Sequence, residues 1–242
     1  MSNNILDYCE LYSSIKNKGF QAGQPITVLR LFGTNLIDLN DARKYSYDKN
    51  LKLAQTMRKK AIPDQLIPEF NKVGVAGKFH LLITGGEPLI QQEPLIHFLQ
   101  ALKETYPQME IEIETNGTLM PKEELDKYVN RYIVNLLLSN AIKGGNRETY
   151  DFRIKKPVIE FYIESKKASF NFLIKSPEDV KNAQEVINLC KIPVSSVWMA
   201  PSCSDYIAFR TYAPLVQKTC ITFGYNFSVI VDSLVFQDKP SF

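Results

Sequence analysis

The stretch GTNLIDLND (residues 33–41) sets a hydroxyl and two carboxylates, Thr34, Asp38 and Asp41, in one loop behind the apolar run PITVLRLFG. With Asn40 and Asp48 these are hard oxygen donors of the kind Mg2+ or Ca2+ prefers. The spacing lacks the ligand order and glycine of an EF-hand, and a solvated acidic loop is the plainer reading. Further on, ITGGEPLIQ (residues 83–91) ends an apolar run in Gly85, Gly86, Glu87 and a proline. Glycines there let backbone approach a ligand, the free N–H groups of such a turn can receive an anion, and Glu87 can take a ligand ammonium. A tight turn needing positive φ explains the same residues equally well. EIETNGTLM repeats the arrangement one unit later, with Glu114, Asn116 and Gly117 where parallel α/β sheets gather ligands; a plain Asn-Gly turn is the alternative.

Other reactive side chains are isolated. Cys9, Cys190, Cys203 and Cys220 form no CxxC or CxxxC pair, and small buried hydrophobes are the expectation for all four. His80 opens an apolar run and His97 lies in a helical one, neither with a partner at metal-ligand or triad spacing. Trp198 is expected to pack in the core.

The elements that must carry these residues alternate. Residues 26–32, 79–85, 109–115, 132–138, 169–175, 194–200 and 226–232 read as strands, several apolar on both faces as buried parallel strands are. Between them lie helices. In SPEDVKNAQEVINLC, Ser176 is the N-cap, Pro177 the first helical residue and Glu178 and Asp179 the acidic first turn. QQEPLIHFLQALKETYP and MPKEELDKYVN start in similar fashion, and Pro214 is expected to kink or end the helix of SDYIAFRTYAPLVQKTC. Residues 38–63 and 140–168 break the alternation as variable insertions; the first holds one helix, KNLKLAQTMRKKA, and the second a strand, VIEFYIESK. The expectation is one α/β domain over residues 1–242, a mostly parallel sheet, open or curled into a partial barrel.

Bulk properties exclude several classes. At 242 residues, 45% hydrophobic and 23% charged, the chain can bury a sizeable core and is not disordered. A net charge of +3 with scattered lysines does not indicate nucleic acid. The N-terminal residues lack a secretory pattern and no apolar run has membrane-spanning length, so a soluble, cytoplasmic protein is expected.

In order and spacing, SSIKNKGFQAGQPITVLRLFGTNL, TGGEPL, ETNGT, SFNFLIKSPEDV and VWMAPS resemble the radical S-adenosylmethionine superfamily, specifically the 7-carboxy-7-deazaguanine synthase family. The resemblance implies a partial (β/α) barrel and an ancestral enzyme of queuosine and 7-deazapurine biosynthesis. It also implies a 4Fe–4S cluster on three cysteines, S-adenosylmethionine on the fourth iron, and Mg2+. In this chain the three cysteine positions read Thr34, Asp38 and Asp41. The substrate segment Q-G-E-G reads Lys16, Asn17, Lys18 and Gly19, and the Mg2+-side positions of C-D-T read Ala42 and Arg43. S-P-K has become Ser139, Asn140 and Ala141, and P-Q-L-H has become residues 232–235, DSLV.

Iron–sulfur clusters depend on soft thiolates, so three oxygen donors imply loss of the cluster. Loss of S-adenosylmethionine and Mg2+ chemistry is expected with it. The first expectation is a catalytically inactive homologue, without cofactor, kept as a structural, binding or regulatory subunit with a protein partner or as a homodimer. Gly85, Gly86, Glu87, Glu114 and Asn116 would carry any residual S-adenosylmethionine or nucleoside binding, and Lys16, Lys18 and Arg30 would mark the vestigial substrate site. The rivals are an active 7-carboxy-7-deazaguanine synthase-like enzyme with atypical ligands and a cluster-free nucleoside- or S-adenosylmethionine-binding protein. Such losses in a chain rich in Lys, Asn and Ile suit a virus-encoded protein.

Overall fold

The computed structural model describes residues 4–38, 43–73, 80–141, 150–203 and 205–235. Its strands make a mostly parallel α/β sheet with flanking helices. The chain divides into two compact units, one of residues 1–14, 25–37 and 43–133, the other of residues 15–24, 38–42 and 134–242.

The first unit carries β1 (Leu6–Ile15), β2 (Pro25–Leu31), α1 (Lys52–Met57), β3 (Lys59–Ala61), α2 (Pro63–Lys72), β4 (His80–Gly85), α3 (Gln92–Thr105), β5 (Glu110–Thr115) and α4 (Glu123–Asp126), and ends within β6 (Arg131–Asn135). Its strand order is β3-β1-β2-β4-β5. The edge strand β3 runs antiparallel to β1, with Asp7 opposite Lys60. Strands β2, β4 and β5 are parallel, so Leu31 stands beside Gly85 and Ile83 beside Ile113. Leu81, Leu82 and Ile83 are consecutive and all buried, as a parallel strand covered on both faces requires. Each such side chain contributes about 1.5–3 kcal/mol by leaving water.

The second unit holds α5 (Tyr150–Arg153), α6 (Lys156–Ser165), β7 (Ala168–Ile174), α7 (Pro177–Cys190), β8 (Val197–Pro201), α8 (Tyr206–Phe223), β9 (Asn226–Phe227) and α9 (Val231–Val235). Strands β7, β8 and β9 are parallel neighbours. Helix α7 starts in a full capping box: Asp179 N–H donates to Ser176 Oγ at 3.2 Å, and Ser176 N–H donates to Asp179 Oδ2 at 3.0 Å.

Several expectations are corrected. VIEFYIESK is helical, not a strand: Pro157 stands in the first turn of α6 and the buried residues, Ile159 and Tyr162, are three apart. Pro214 does not end α8, which continues to Phe223. Arg210 and Pro214 are both exposed, so water can serve the carbonyl that the proline leaves without its N–H. KNLKLAQTMRKKA is helical only over Lys52–Met57, because Arg58 turns extended and Lys59–Ala61 pairs as β3. NFSVIVD keeps only two strand residues before α9. Trp198 is half-buried between the buried Val197 and Met199, the outward phase of a short strand. The ten-residue β1 was not anticipated; its Asp7 and Glu10 interrupt the apolar pattern. Among the described residues, no helix is long and apolar enough to cross a membrane.

Candidate functional site

The loops that follow β2, β4 and β5 in the first unit are bound into one polar cluster. Glu87 is its centre and has no solvent exposure. Its carboxylate accepts from Leu89 N–H at 3.0 Å, from Asn116 N–H at 2.7 Å and from Thr115 Oγ1 at 2.9 Å. Burial pushes its carboxyl up to about 7, and the three donors hold it from rising further. Glu87 thus ties the turn after β4 to the end of β5, instead of presenting a carboxylate to an incoming ammonium.

The two glycines serve a close backbone approach. A Cβ on Gly85, whose φ is +130°, would lie 2.1 Å from Leu31 O, and one on Gly86 would lie 2.1 Å from Gly33 O. Only hydrogen at these positions lets the β4 loop lie on the β2 loop, where Glu87 N–H donates to Gly33 O at 2.8 Å. Asn116 Nδ2 donates to Asn35 Oδ1 at 3.0 Å, Asn35 Nδ2 donates to Thr118 Oγ1 at 2.8 Å, and Thr118 Oγ1 donates to Asn116 Oδ1 at 2.6 Å. This closed ring uses both amides. Asn35 is itself exposed while Asn116 and Thr118 are buried, so replacing Asn35 by alanine is expected to lower stability by about 0.5–1.5 kcal/mol, the worth of ordinary hydrogen bonds; urea unfolding measures it. Glu114, half-buried, accepts from Thr84 Oγ1 at 2.5 Å.

Thr34 is closed on its own loop: its Oγ1 donates to Leu36 O at 2.9 Å and accepts from Leu36 N–H at 3.2 Å. Asp38 is half-buried, whereas Asn40, Asp41 and Ala42 lie outside the described residues. Asp48 accepts from Asn50 N–H at 3.0 Å, a local turn. Among the described residues, no three His, Cys, Asp or Glu side chains gather to hold a metal. Cys9 packs with Phe32 and Ala54, and burial pushes its thiol up to about 11, with Glu10 adding to the effect. Cys190 and Cys220 are buried and Cys203 half-buried; all four thiols are free.

Arg30 is buried and paired with Glu10 at 2.7 Å and with Tyr12 Oη at 3.2 Å, and Tyr45 Oη donates to the same Glu10 carboxylate at 2.8 Å. Burial opposes the guanidinium charge; Tyr12, Tyr45 and Glu10 outweigh it and raise the pKa.

Lys16 and Lys18 belong to the second unit. Lys16 is buried, its backbone pairing with Gln24 and Gly23, and Lys18 Nζ donates to Asn135 Oδ1 at 3.4 Å. Between them, Asn17 receives Val231 N–H on its backbone oxygen at 2.9 Å and Asp232 N–H on Oδ1 at 2.8 Å. Gly19 N–H donates to Ser228 Oγ at 2.8 Å. The segment KNKG is therefore bonded to the start of DSLV, and both are places where the sequence departs from the family pattern.

Sequence reasoning missed several residues. Gln91 knits β1 to β2, donating to Asp7 O and Phe32 O, both at 2.9 Å, and accepting from Asp7 N–H at 2.7 Å. His80 stands beside an acid: its Nε2 lies 3.3 Å from the buried Glu112 Oε2 without a hydrogen bond to it, and Glu112 Oε1 faces Arg131 at 3.4 Å. That trio sits near the starts of β4, β5 and β6, away from the loops.

The fold is a partial (β/α) barrel of the radical S-adenosylmethionine type. QueE from Escherichia coli, a crystal structure, matches it with a TM-score of 0.67 over 94% of this chain and 98% of that one, at 17% identity. A 7-carboxy-7-deazaguanine synthase of Pyrobaculum aerophilum is 30% identical over 196 residues, 79% of this chain and 77% of the relative. One of Hyperthermus butylicus is 23% identical over 96% of this chain and 94% of its own length. The chain belongs to the 7-carboxy-7-deazaguanine synthase family. No family model matches it.

Proposed function

We propose that this chain is a member of its family that no longer performs the family's reaction and serves as a structural, binding or regulatory subunit, with a protein partner or as a homodimer. One observation carries the reading. At the first cluster position stands a threonine hydroxyl that is already bonded twice to Leu36. The other two positions offer carboxylates, and the nearest cysteine in sequence, Cys9, is a buried thiol with a raised pKa. This donor set does not fit a 4Fe–4S cluster, which needs accessible thiolates. Two further features support the reading. Arg30 is taken up by Glu10 and Tyr12, and Asn17, in the altered substrate segment, caps α9.

The retained GGEP and ETNGT loops support a narrower version, in which a nucleoside or S-adenosylmethionine still binds without the cluster. Their polar groups are largely satisfied internally, so this binding is expected to be weak. The test is anaerobic reconstitution with iron and sulfide, followed by assays for bound iron and for 5′-deoxyadenosine released from S-adenosylmethionine. Neither is expected. Stoichiometric iron together with 5′-deoxyadenosine would establish the rival reading, an active synthase with atypical ligands. Calorimetry without heat from S-adenosylmethionine or a nucleoside would remove the narrower version.

A further inference from the structure

A cleft of about 360 Å3 opens beside α1, lined by Phe32, Lys49, Ala54, Gln55, Arg58 and Lys60. It belongs wholly to the first unit. Its floor is apolar, the buried Phe32 and Ala54 packed with Cys9. Its rim is cationic. Residues 43–60 contain seven Lys or Arg and one acid, Asp48, which is turned to Asn50; Asp7, from β1, offsets Arg58, which leaves the lysines as the rim's excess charge.

Arg58 is held in place from two sides. Its guanidinium lies 4.4 Å from the centroid of the Phe32 ring. Asp7 grips its Nε at 2.9 and 3.0 Å and its Nη2 at 2.5 Å, leaving Nη1 outside the clamp. Lys60 stands opposite Asp7 in the β1–β3 register, while strand alternation sends Lys59 to the other face, over the Tyr8 ring at 5.9 Å. Lys49 reaches the rim from a different segment. Both Lys49 and Lys60 are exposed, and neither ammonium makes an ion pair among the described residues.

We propose that this cleft binds a small phosphate-bearing ligand with a flat apolar body, of the nucleoside monophosphate class. The chemistry follows from the parts. A guanidinium backed by an aromatic ring and fixed by a carboxylate offers a planar, preorganised surface on which a base can stack. Two ammonium groups at the rim suit a dianionic phosphate through charge-assisted hydrogen bonds. The volume is at the small end of the range for ligand pockets, roughly 300–1,000 Å3. Lysines that served only to guard a sheet edge would require neither the apolar floor, nor the Asp7 clamp, nor Lys49 from outside the edge strand. The inference is independent of whether the family's reaction survives, because none of the residues lining the cleft belongs to the Glu87 cluster.

The test is calorimetry on the full chain at low salt with adenosine and guanosine monophosphates, the bare nucleosides, inorganic phosphate and a short single-stranded oligonucleotide. At least one monophosphate is expected to bind saturably, with its nucleoside and inorganic phosphate each about tenfold weaker or more. Lys49→Glu and Lys60→Glu are each expected to weaken that monophosphate by about tenfold or more, as loss of a charge-assisted contact implies. Both side chains are exposed, so the thermal transition should stay in place and show that the variants fold. No binding of either monophosphate at millimolar concentration overturns the proposal. So does binding unchanged in Lys60→Glu, inorganic phosphate binding as tightly as the monophosphates, or an oligonucleotide that binds where they do not.

Discussion

Replacing Gly86 by alanine is expected to cost about 3 kcal/mol or more of stability, as overpacking against rigid backbone does. The new methyl would meet Gly33 O at 2.1 Å, Gly33 C at 2.6 Å and Thr34 Cβ at 3.1 Å. Backbone cannot rotate away as a side-chain end can, so the β4 and β2 loops must part. That opens the bond from Glu87 N–H to Gly33 O and loosens the carboxylate beside it. For a chain of this size the melting temperature should fall by roughly 6–12 °C. Gly19→Ala is the control: its φ is +75° but nothing lies within 4 Å of its Cβ, so only the backbone strain of about 1 kcal/mol applies. Equal melting shifts for the two variants would show that the close approach of the loops is not what the glycine supplies.

The second large effect is a pH dependence set by Glu87. Its carboxyl is raised from 4.5 to about 7 in the folded chain, with burial as the leading cause. Between those values the native state keeps a proton that the unfolded chain has released. Stability therefore falls as pH climbs through this window, and Glu87's contribution is fully present only below about pH 4.5. The shift corresponds to roughly 3 kcal/mol, most of it lost between pH 5 and 7. Glu87→Gln removes the titration while keeping the shape. Urea unfolding of both proteins from pH 5 to 8 separates this group from the rest, since the other titrations cancel in the difference. The native protein's curve is expected to fall relative to the variant's; parallel curves would mean that Glu87 does not titrate in this range.

The strands with apolar residues on both faces were legible, because burial on two sides leaves an unbroken run such as LLI in β4 or YIV in β6. The cap of α7 was legible too, since Ser176, Pro177 and Asp179 act on neighbouring backbone. What stayed hidden depended on partners distant in sequence. β1 mixes Asp7 and Glu10 into its pattern because their counter-charges, Arg58 and Arg30, come from elsewhere. The role of Glu87 could not be read as structural, because its partners Thr115 and Asn116 lie a whole strand–helix unit away. GGEP looked equally like a ligand turn and a tight turn. The geometry gives it a third use, a surface on which the Gly33 loop rests.

Strand β3, only three residues long, forms the outer margin of the first unit's sheet. A foreign strand approaching that margin would find a short row of backbone donors and acceptors flanked by Lys59 and Lys60. Zipping onto it would require stripping water from those ammonium groups. The same insertion that builds the cleft therefore also blunts the edge. It should keep the chain from recruiting other chains into growing fibrils, even when thermal fluctuation loosens α1.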